Sequence, residues 1–241
     1  MIQFKMGKRI TQQARGKGSL TFRVRKKAYR YKVSYSKLSR SGAGKIIKLF
    51  NSSAHYTPLI KVKIDKEVFI CPAASGIYEG QEIMINKIRE DGKPVVGDIM
   101  KLKDIPVGSK IFNIETIPGH GGKILRSSGC SAIVLDKSNG QVEIQIRRRR
   151  IKLNEECRAS AGTAAGEGRL IKPLIKAGKR HHIMKSKGRK WHRTSAVKTN
   201  AVDHPFGGGR GKRIKSKIAK RNSPPGRKVG HLRPKRTGRK K

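Results

Sequence analysis

The feature that most constrains this chain is the separation of charge along its length. Lysine and arginine number 59 against 15 aspartates and glutamates, a formal net charge of +44 in 241 residues. Residues 1–50 hold 15 cations and no acid, residues 51–175 hold 20 cations and 14 acids, and residues 176–241 hold 24 cations and one acid. Two such ends repel themselves until an anionic partner neutralises them. The partner that matches charge on this scale is nucleic acid.

Other classes of protein are excluded by the same sequence. The longer apolar runs are interrupted by lysine, so no segment is predicted to span a membrane, and residues 1–9 do not resemble a signal peptide. Cys71, Cys130 and Cys157 form no CxxC pair, which argues against a disulfide framework or a zinc ribbon and favours a reducing compartment. We expect no membrane partner and no small-molecule substrate.

Apolar periodicity is concentrated in the charge-balanced middle. Runs at residues 59–64 and 68–70 are rich in β-branched side chains, and Asp65-Lys66 between them is a predicted turn. A third short run follows at residues 83–85. These runs predict β-strands.

A second hairpin is predicted further along. Residues 131–135 face residues 141–146 across 136–140, where Asn139-Gly140 is a strong hairpin signal. Many short strands with turns between them indicate small β-barrels, and a break near residues 90–92 gives two of them. No sustained helical periodicity is found.

Three segments are not predicted to build a core. Residues 159–166 have little side-chain volume, so they are expected to form a tightly packed loop or a surface that RNA backbone approaches closely. Residues 7–18 and 206–241 bury too little apolar surface to offset chain entropy. We expect both ends to be disordered alone and ordered by RNA.

Four consecutive arginines occupy residues 147–150. On an extended chain they alternate between two faces, so some would point toward the core unless the segment is a loop. The run is interpreted as a phosphate clamp, with a solvated loop as the alternative. Trp191, the only tryptophan, is expected either to stack on a base or to pack on a barrel.

Metal binding and catalysis are not favoured in the C-terminal third. Its histidines lack the cysteine or carboxylate cluster that would complete a metal site, and contact with bases or phosphate is preferred; they are His181, His182, His192, His204 and His231. Asp203 and His204 are adjacent, and adjacent side chains seldom form a productive catalytic pair. Asp203 is expected to bond an arginine or a backbone amide. We predict no catalytic residue, no metal site and no cofactor beyond Mg²⁺ associated with RNA.

Short motifs occur in order along essentially the whole chain. The most specific is Val-Asp-His-Pro-Phe-Gly-Gly-Gly at residues 202–209; the others lie at residues 7–9, 15–18, 113–115, 118–119, 122–123, 126–129, 157–159, 172–178, 225–230 and 236–238. By these motifs the chain resembles the universal ribosomal large-subunit protein two family, in its archaeal/eukaryotic-like form.

The resemblance implies a mostly β fold with an OB-fold barrel followed by an SH3-like barrel and long basic irregular N- and C-terminal extensions. The implied boundaries are residues 1–34 for the N-terminal extension, 35–90 for the OB-fold barrel, 91–165 for the SH3-like barrel and 166–241 for a C-terminal extension that threads through rRNA.

The resemblance also implies a non-enzymatic structural constituent of the large ribosomal subunit, located in the ribosome of the cytoplasm. It would bind large-subunit rRNA near the peptidyl-transferase region and support assembly, subunit association and tRNA placement. The implied partners are large-subunit rRNA, neighbouring ribosomal proteins and, by bridging, the small subunit. Composition alone leaves a non-specific nucleic-acid condenser or RNA chaperone as the alternative, which would bind unrelated RNA and DNA equally.

The candidate rRNA-binding residues are cations of the ends, the arginine run and the glycine-rich loop. They are Lys8, Arg9, Arg15, Lys17, Arg147, Arg148, Arg149, Arg150, Lys176, Lys179, Arg180, His181, Arg189, Arg193, Asn200, Asp203, His204, Gly207, Gly208, Gly209, Arg210, Arg227, Lys228, Arg236 and Arg239. The chain departs from the family pattern at residues 198–201, Lys-Thr-Asn-Ala in place of Ala-Met-Asn-Pro, and at residues 147–150 in place of a small Gly/Ser turn. The first change loosens the approach to the loop, and the second suggests an extra electrostatic contact.

Overall fold

A computed structural model describes residues 7–26, 28–209, 218–219, 221–223, 228–232 and 234. The chain divides into two compact units, Arg25–Lys187 and a unit formed by Met1–Val24 with Gly188–Lys241. The larger unit is β-rich, as the sequence predicts. The expected ordering of both ends by RNA stays a prediction, and part of the C-terminal end, including residues 210–217 and 235–241, lies outside the described residues.

Ten strands of the larger unit form one sheet. They are β1 (Gly42–Phe50), β2 (Leu59–Ile64), β3 (Glu67–Pro72), β4 (Glu82–Ile85), β5 (Ile99–Lys101), β6 (Lys110–Phe112), β7 (Ala132–Ser138), β8 (Gln141–Ile146), β9 (Arg149–Asn154) and β10 (Arg158–Ala161). Their order is β3-β2-β1-β4-β5-β10-β6-β7-β8-β9. All neighbours are antiparallel except β4 and β5, which are parallel and joined through Ile85 and Ile99.

The remaining described elements are short. The helices are α1 (Thr11–Gly16), α2 (Gly168–Ile171) and α3 (Ala177–Ser186), with 3₁₀ turns at Leu102–Asp104 and Ala196–Lys198. A parallel pair of two-residue strands, β11 (Ile218–Ala219) and β12 (His231–Leu232), lies in the smaller unit.

Both predicted hairpins are confirmed. Asp65, with φ of 48°, and Lys66 form the turn between β2 and β3. Asn139 and Gly140 both have positive φ, 50° and 73°, as a two-residue hairpin turn with right-handed strand twist requires. The second turn is tighter than the predicted 136–140, because β7 continues to Ser138 through a register shift between Val134 and Asp136.

Besides a small cluster of Ala74, Phe112 and Ala164, the larger unit has two hydrophobic cores. One gathers side chains of β1–β4 with Ile99, and the other gathers side chains of β5–β10 from Met100 onward. Alternation explains the division within β5, because successive side chains of a strand point to opposite faces. The boundary between two modules that the turns predict near residues 90–92 stays a prediction, because all ten strands lie in one compact unit.

The prediction for residues 159–166 is wrong in part. Ala159 and Ala161 belong to β10, an interior strand of the sheet, and both are buried, as is Ala164. Ala159 belongs to the core of β5–β10, and Ala164 packs with Ala74 and Phe112. This part of the segment is therefore core and not an RNA-facing surface.

Helix α3 was not predicted. Its side chains are exposed or half-buried all round, and it carries Lys179, Arg180, His181 and Lys185 without an apolar stripe. Hydrophobic periodicity detects a helix through one buried face. A helix that buries no face leaves no such signal.

Candidate nucleic-acid interface

The glycine-rich loop, residues 199–209, folds onto itself through backbone hydrogen bonds. The Asp203 amide donates to the Asn200 carbonyl at 3.0 Å, the Gly207 amide to the His204 carbonyl at 2.8 Å and the Gly208 amide to the Thr199 carbonyl at 3.2 Å. The Thr199 hydroxyl donates to the Ala196 carbonyl at 2.7 Å. The loop is thus a series of tight turns.

Glycine is required at two positions of this loop. A Cβ on Gly207 would lie 2.4 Å from the carbonyl oxygens of both Thr199 and Asn200. Gly208 has φ of +77°, and a Cβ there would lie 2.8 Å from the Ala201 Cβ. The two glycines therefore allow a backbone packing that no other residue permits.

His204 is held by its own loop. Its Nδ1 accepts a hydrogen bond from the Phe206 amide at 3.0 Å, and the two rings lie 4.9 Å apart. Because Nδ1 accepts, the proton of the neutral ring is on Nε2, which is left as a donor. Burial lowers the pKa of His204, so the neutral form is favoured.

The N-terminal residues of the smaller unit run beside this loop. The Lys8 amide donates to the Val202 carbonyl at 2.9 Å. The Lys8 Nζ lies 3.7 Å from Asp203 Oδ1, with both side chains well exposed. Among the described residues the ion-pair partner of Asp203 is a lysine, whereas an arginine or a backbone amide was expected.

A cationic cavity of about 840 Å³ lies within the smaller unit, next to the glycine-rich loop. Its cationic lining residues are Lys8, Arg9, Lys190, Arg193 and Lys228. His192 and His204 also line it, and Asp203 is the single acid among the described residues that do so. The fold thus brings together six predicted site residues that are distant in sequence: Lys8, Arg9, Arg193, Asp203, His204 and Lys228.

The arginine run forms an exposed hairpin end. Arg147, with φ of 55°, and Arg148 make the turn between β8 and β9, while Arg149 pairs with Ile146 across the ladder. All four arginines are exposed. Arg147 and Arg148 leave the strand pattern in the turn, whereas Arg149 and Arg150 open β9 and are exposed on both of its faces.

The other predicted cations are exposed where the structure describes them. Arg15 is in α1 and Lys17 follows it, Lys176 precedes α3, and Lys179, Arg180 and His181 belong to α3. Arg189 is also exposed. Arg210, Arg227, Arg236 and Arg239 lie outside the described residues. Trp191 is half-buried and stacks on His192 at 3.8 Å.

A buried ion pair in the larger unit was missed by sequence reasoning. Arg158 Nη2 lies 2.8 Å from Glu115 Oε1, and both side chains are almost wholly buried. Arg158 Nη1 donates to the Ser36 carbonyl at 2.8 Å, and its guanidinium lies 5.2 Å from the Tyr35 ring centroid. The motifs at 113–115 and 157–159 contain this pair, but nothing in the sequence indicates that the two residues meet.

Glu115 also fixes a glycine-rich turn. Its carboxylate accepts hydrogen bonds from the amides of Gly121 at 2.9 Å and Gly119 at 3.3 Å. A Cβ on Gly122 would lie 2.0 Å from Asn113 Oδ1, so the turn packs directly against Asn113. The ion pair therefore orders residues 117–122, which carry the exposed His120.

Two absences concern other kinds of site. Among the described residues, no group of three or more His, Cys, Asp and Glu side chains is arranged to hold a metal ion. Within the same part of the chain, no helix has the length and apolar character needed to cross a membrane.

Together these features define a strongly cationic, β-rich protein with a basic cavity beside an ordered glycine-rich loop. A family model described as Ribosomal Proteins L2, C-terminal domain, matches residues 95–226. The large ribosomal subunit protein uL2 of Natronomonas pharaonis is 41% identical over 241 residues, covering 97% of each chain. That of Methanococcus maripaludis strain C7 is 39% identical over 246 residues, covering 98% of this chain and 100% of the relative.

The chain belongs to the ribosomal protein L2 family, named uL2 in these relatives. The predicted resemblance, the ribosomal location and the non-enzymatic class are thereby confirmed.

Proposed function

We propose that this structural ribosomal protein binds large-subunit rRNA near the peptidyl-transferase region. With that binding we propose support of subunit assembly, subunit association and tRNA placement. Its partners are then large-subunit rRNA, neighbouring ribosomal proteins and, by bridging, the small subunit. Mg²⁺ enters with the RNA, and the protein needs no cofactor of its own.

The observation that carries this proposal is the cationic cavity beside the glycine-rich loop. Five lysines and arginines and one acid line it, an imbalance that suits several phosphates. Gly208 and Gly209 are exposed and carry no side chain, so RNA backbone can approach the loop closely. The neutral His204 offers Nε2–H to a phosphate oxygen or its ring to a base.

We infer a finer architecture from the two cores. In this proposal β1–β4 build the OB-fold barrel of residues 35–90, and β5–β10 build the SH3-like barrel of residues 91–165. Residues 1–34 and 166–241 are the basic extensions that penetrate RNA. These proposed boundaries divide the chain by function. They differ from the larger compact unit, Arg25–Lys187, which is defined by contacts between residues.

Competition binding tests the proposal. The full chain is bound to a labelled large-subunit rRNA fragment and challenged with unlabelled rRNA or with bulk duplex DNA. We expect rRNA to compete far better than DNA, since A-form shape and 2′-hydroxyls distinguish the two. Equal competition would instead establish the non-specific condenser.

A matched pair of variants locates the contact. Lys8→Gln with Arg193→Gln removes two cations from the cavity, whereas Lys61→Gln with Lys63→Gln removes two exposed cations from β2. We expect only the first pair to reduce the preference for rRNA.

For about ten engaged phosphates, log K should fall against log salt with a slope of roughly −7 to −9. A slope near about −1, as for one phosphate contact, would contradict the proposal.

A further inference from the structure

Two pairs of aromatic side chains lie on the larger unit, outside the residues considered so far, and Tyr29 and Tyr31 bring the pairs close together in sequence. We call Tyr29, Tyr31, Phe50 and His55 the aromatic patch. The Tyr29 and His55 rings pack edge to face at 5.3 Å and 85°, and Tyr31 packs on Phe50 at 4.7 Å and 63°. None of these four described side chains belongs to a hydrophobic core, and Tyr29 is 49% exposed. Core packing therefore does not account for the patch.

Hydrogen bonds hold the backbone beneath the patch in place. The Ala28 carbonyl accepts a hydrogen bond from the Ala54 amide at 3.1 Å, and Ser52 Oγ lies 3.5 Å from the same oxygen. Ser52 Oγ also bonds His55 Nδ1 at 2.9 Å. The segments that carry Tyr29 and His55 are thus tied together. Because these segments are already ordered, a ligand that stacks on the rings loses little free energy to ordering the protein.

Cations surround the rings. Residues 25–32 read Arg-Lys-Lys-Ala-Tyr-Arg-Tyr-Lys, and the first acid of the sequence is Asp65. The Arg30 guanidinium lies 5.9 Å from the Tyr31 ring centroid. Burial and the nearby charge of Arg126 lower the pKa of His55, which favours the neutral form of that ring.

Aromatic rings interleaved with cations suit one chemistry. Every nucleobase has a π face that stacks on an aromatic side chain, while lysine and arginine hold the adjoining phosphates. Bases of an RNA duplex are already stacked on each other and do not offer that face. The ligand that matches both features is an unpaired stretch of RNA.

We propose that the aromatic patch is a stacking site for unpaired RNA bases, with Tyr29 and Tyr31 as the stacking rings and Arg30 as a phosphate contact. This inference rests on the proposed rRNA binding and specifies which form of RNA this surface recognises.

Paired RNA probes test the inference on the full chain. A single-stranded RNA oligonucleotide and a blunt RNA duplex of equal length are titrated at a salt concentration where wild-type binding is measurable. Tyr29→Leu should weaken binding of the single strand by about 5- to 100-fold per lost stack and leave duplex binding unchanged. Tyr29→Phe, the matched control, keeps the ring and should bind as wild type.

Three results would overturn the inference: unchanged single-strand binding by Tyr29→Leu, equal weakening on the duplex, or an equal loss in Tyr29→Phe. If Tyr29→Leu fails to fold by circular dichroism, photocrosslinking of the wild-type chain to 4-thiouridine RNA decides. Adducts should map to Tyr29 or Tyr31, and their absence from both refutes the site. A wild-type chain that prefers DNA to rRNA is a different result, because it refutes the proposed function itself.

Discussion

The buried pair of Arg158 and Glu115 makes the sharpest stability prediction. Arg158→Met keeps an unbranched apolar side chain but removes the bonds from Nε and Nη2 to Glu115 Oε1, at 3.2 and 2.8 Å, and the bond to the Ser36 carbonyl. A buried carboxylate that keeps its amide hydrogen bonds but loses its positive partner is strongly unfavourable. We expect the free energy of unfolding to fall by about 3–5 kcal/mol, measured by urea denaturation followed by far-ultraviolet circular dichroism.

Replacing both partners should not restore stability here. Buried ion pairs can often be exchanged for apolar residues without loss. Glu115, however, also accepts hydrogen bonds from the amides of Gly119, Gly121 and Arg158, at 3.3, 2.9 and 2.9 Å. Glu115→Leu with Arg158→Met leaves these amides unpaired at a cost of about 1–3 kcal/mol for each that stays buried.

An exposed ion pair is the control. Lys103 Nζ lies 2.5 Å from Glu156 Oε1, with the two side chains 42% and 40% exposed. Lys103→Met should leave the free energy of unfolding nearly unchanged, because exposed ion pairs contribute little. The reasoning fails if Arg158→Met loses no more stability than Lys103→Met, or if the double variant regains wild-type stability.

Three further predictions follow from local geometry. Gly140→Ala, at φ of 73°, should lower the free energy of unfolding by about 1 kcal/mol, seen as a lower urea midpoint. Arg147→Gln with Arg148→Gln should leave that midpoint nearly unchanged but reduce the magnitude of the salt slope for RNA binding by about 1–2. Lys101 and Lys103 lower the pKa of Glu156 to about 2. The stability gained from this pairing is present above the ordinary carboxyl pKa and is lost as the pH falls toward 2, so the unfolding midpoints of Glu156→Gln and wild type should converge in acid.

The hairpins were predictable because their signals are local. Asn139-Gly140 and Asp65-Lys66 fix their turns through backbone conformation, and the flanking alternation fixes which side chains are buried. The sequence therefore predicted β2, β3, β7 and β8 with small errors at their ends. It could not predict their order in the sheet, which depends on contacts between distant residues.

The elements that were missed lack such local signals. β10 consists of Arg-Ala-Ser-Ala, which has no apolar alternation, and its burial depends on packing against residues distant in sequence. Helix α3 has no apolar stripe. The cationic cavity is likewise non-local, because Lys8, Arg193 and Lys228 meet only after the chain folds. Charge composition indicates that the partner is nucleic acid, whereas the position of the candidate cavity depends on the fold.

The placement of acids explains how a chain of net charge +44 builds a core at all. Of the six ion pairs among the described residues, five lie in the larger unit. Asp98 and Glu115 are completely buried and bond Arg89 and Arg158, so the acids of the middle neutralise cations that packing draws inward. The cavity beside the glycine-rich loop has one acid among the described residues, Asp203, which is paired loosely with Lys8. Its other cations remain uncompensated, and that excess is the driving force for association with a polyanion. Placing two acidic residues in the cavity would therefore weaken RNA binding without changing the sheet.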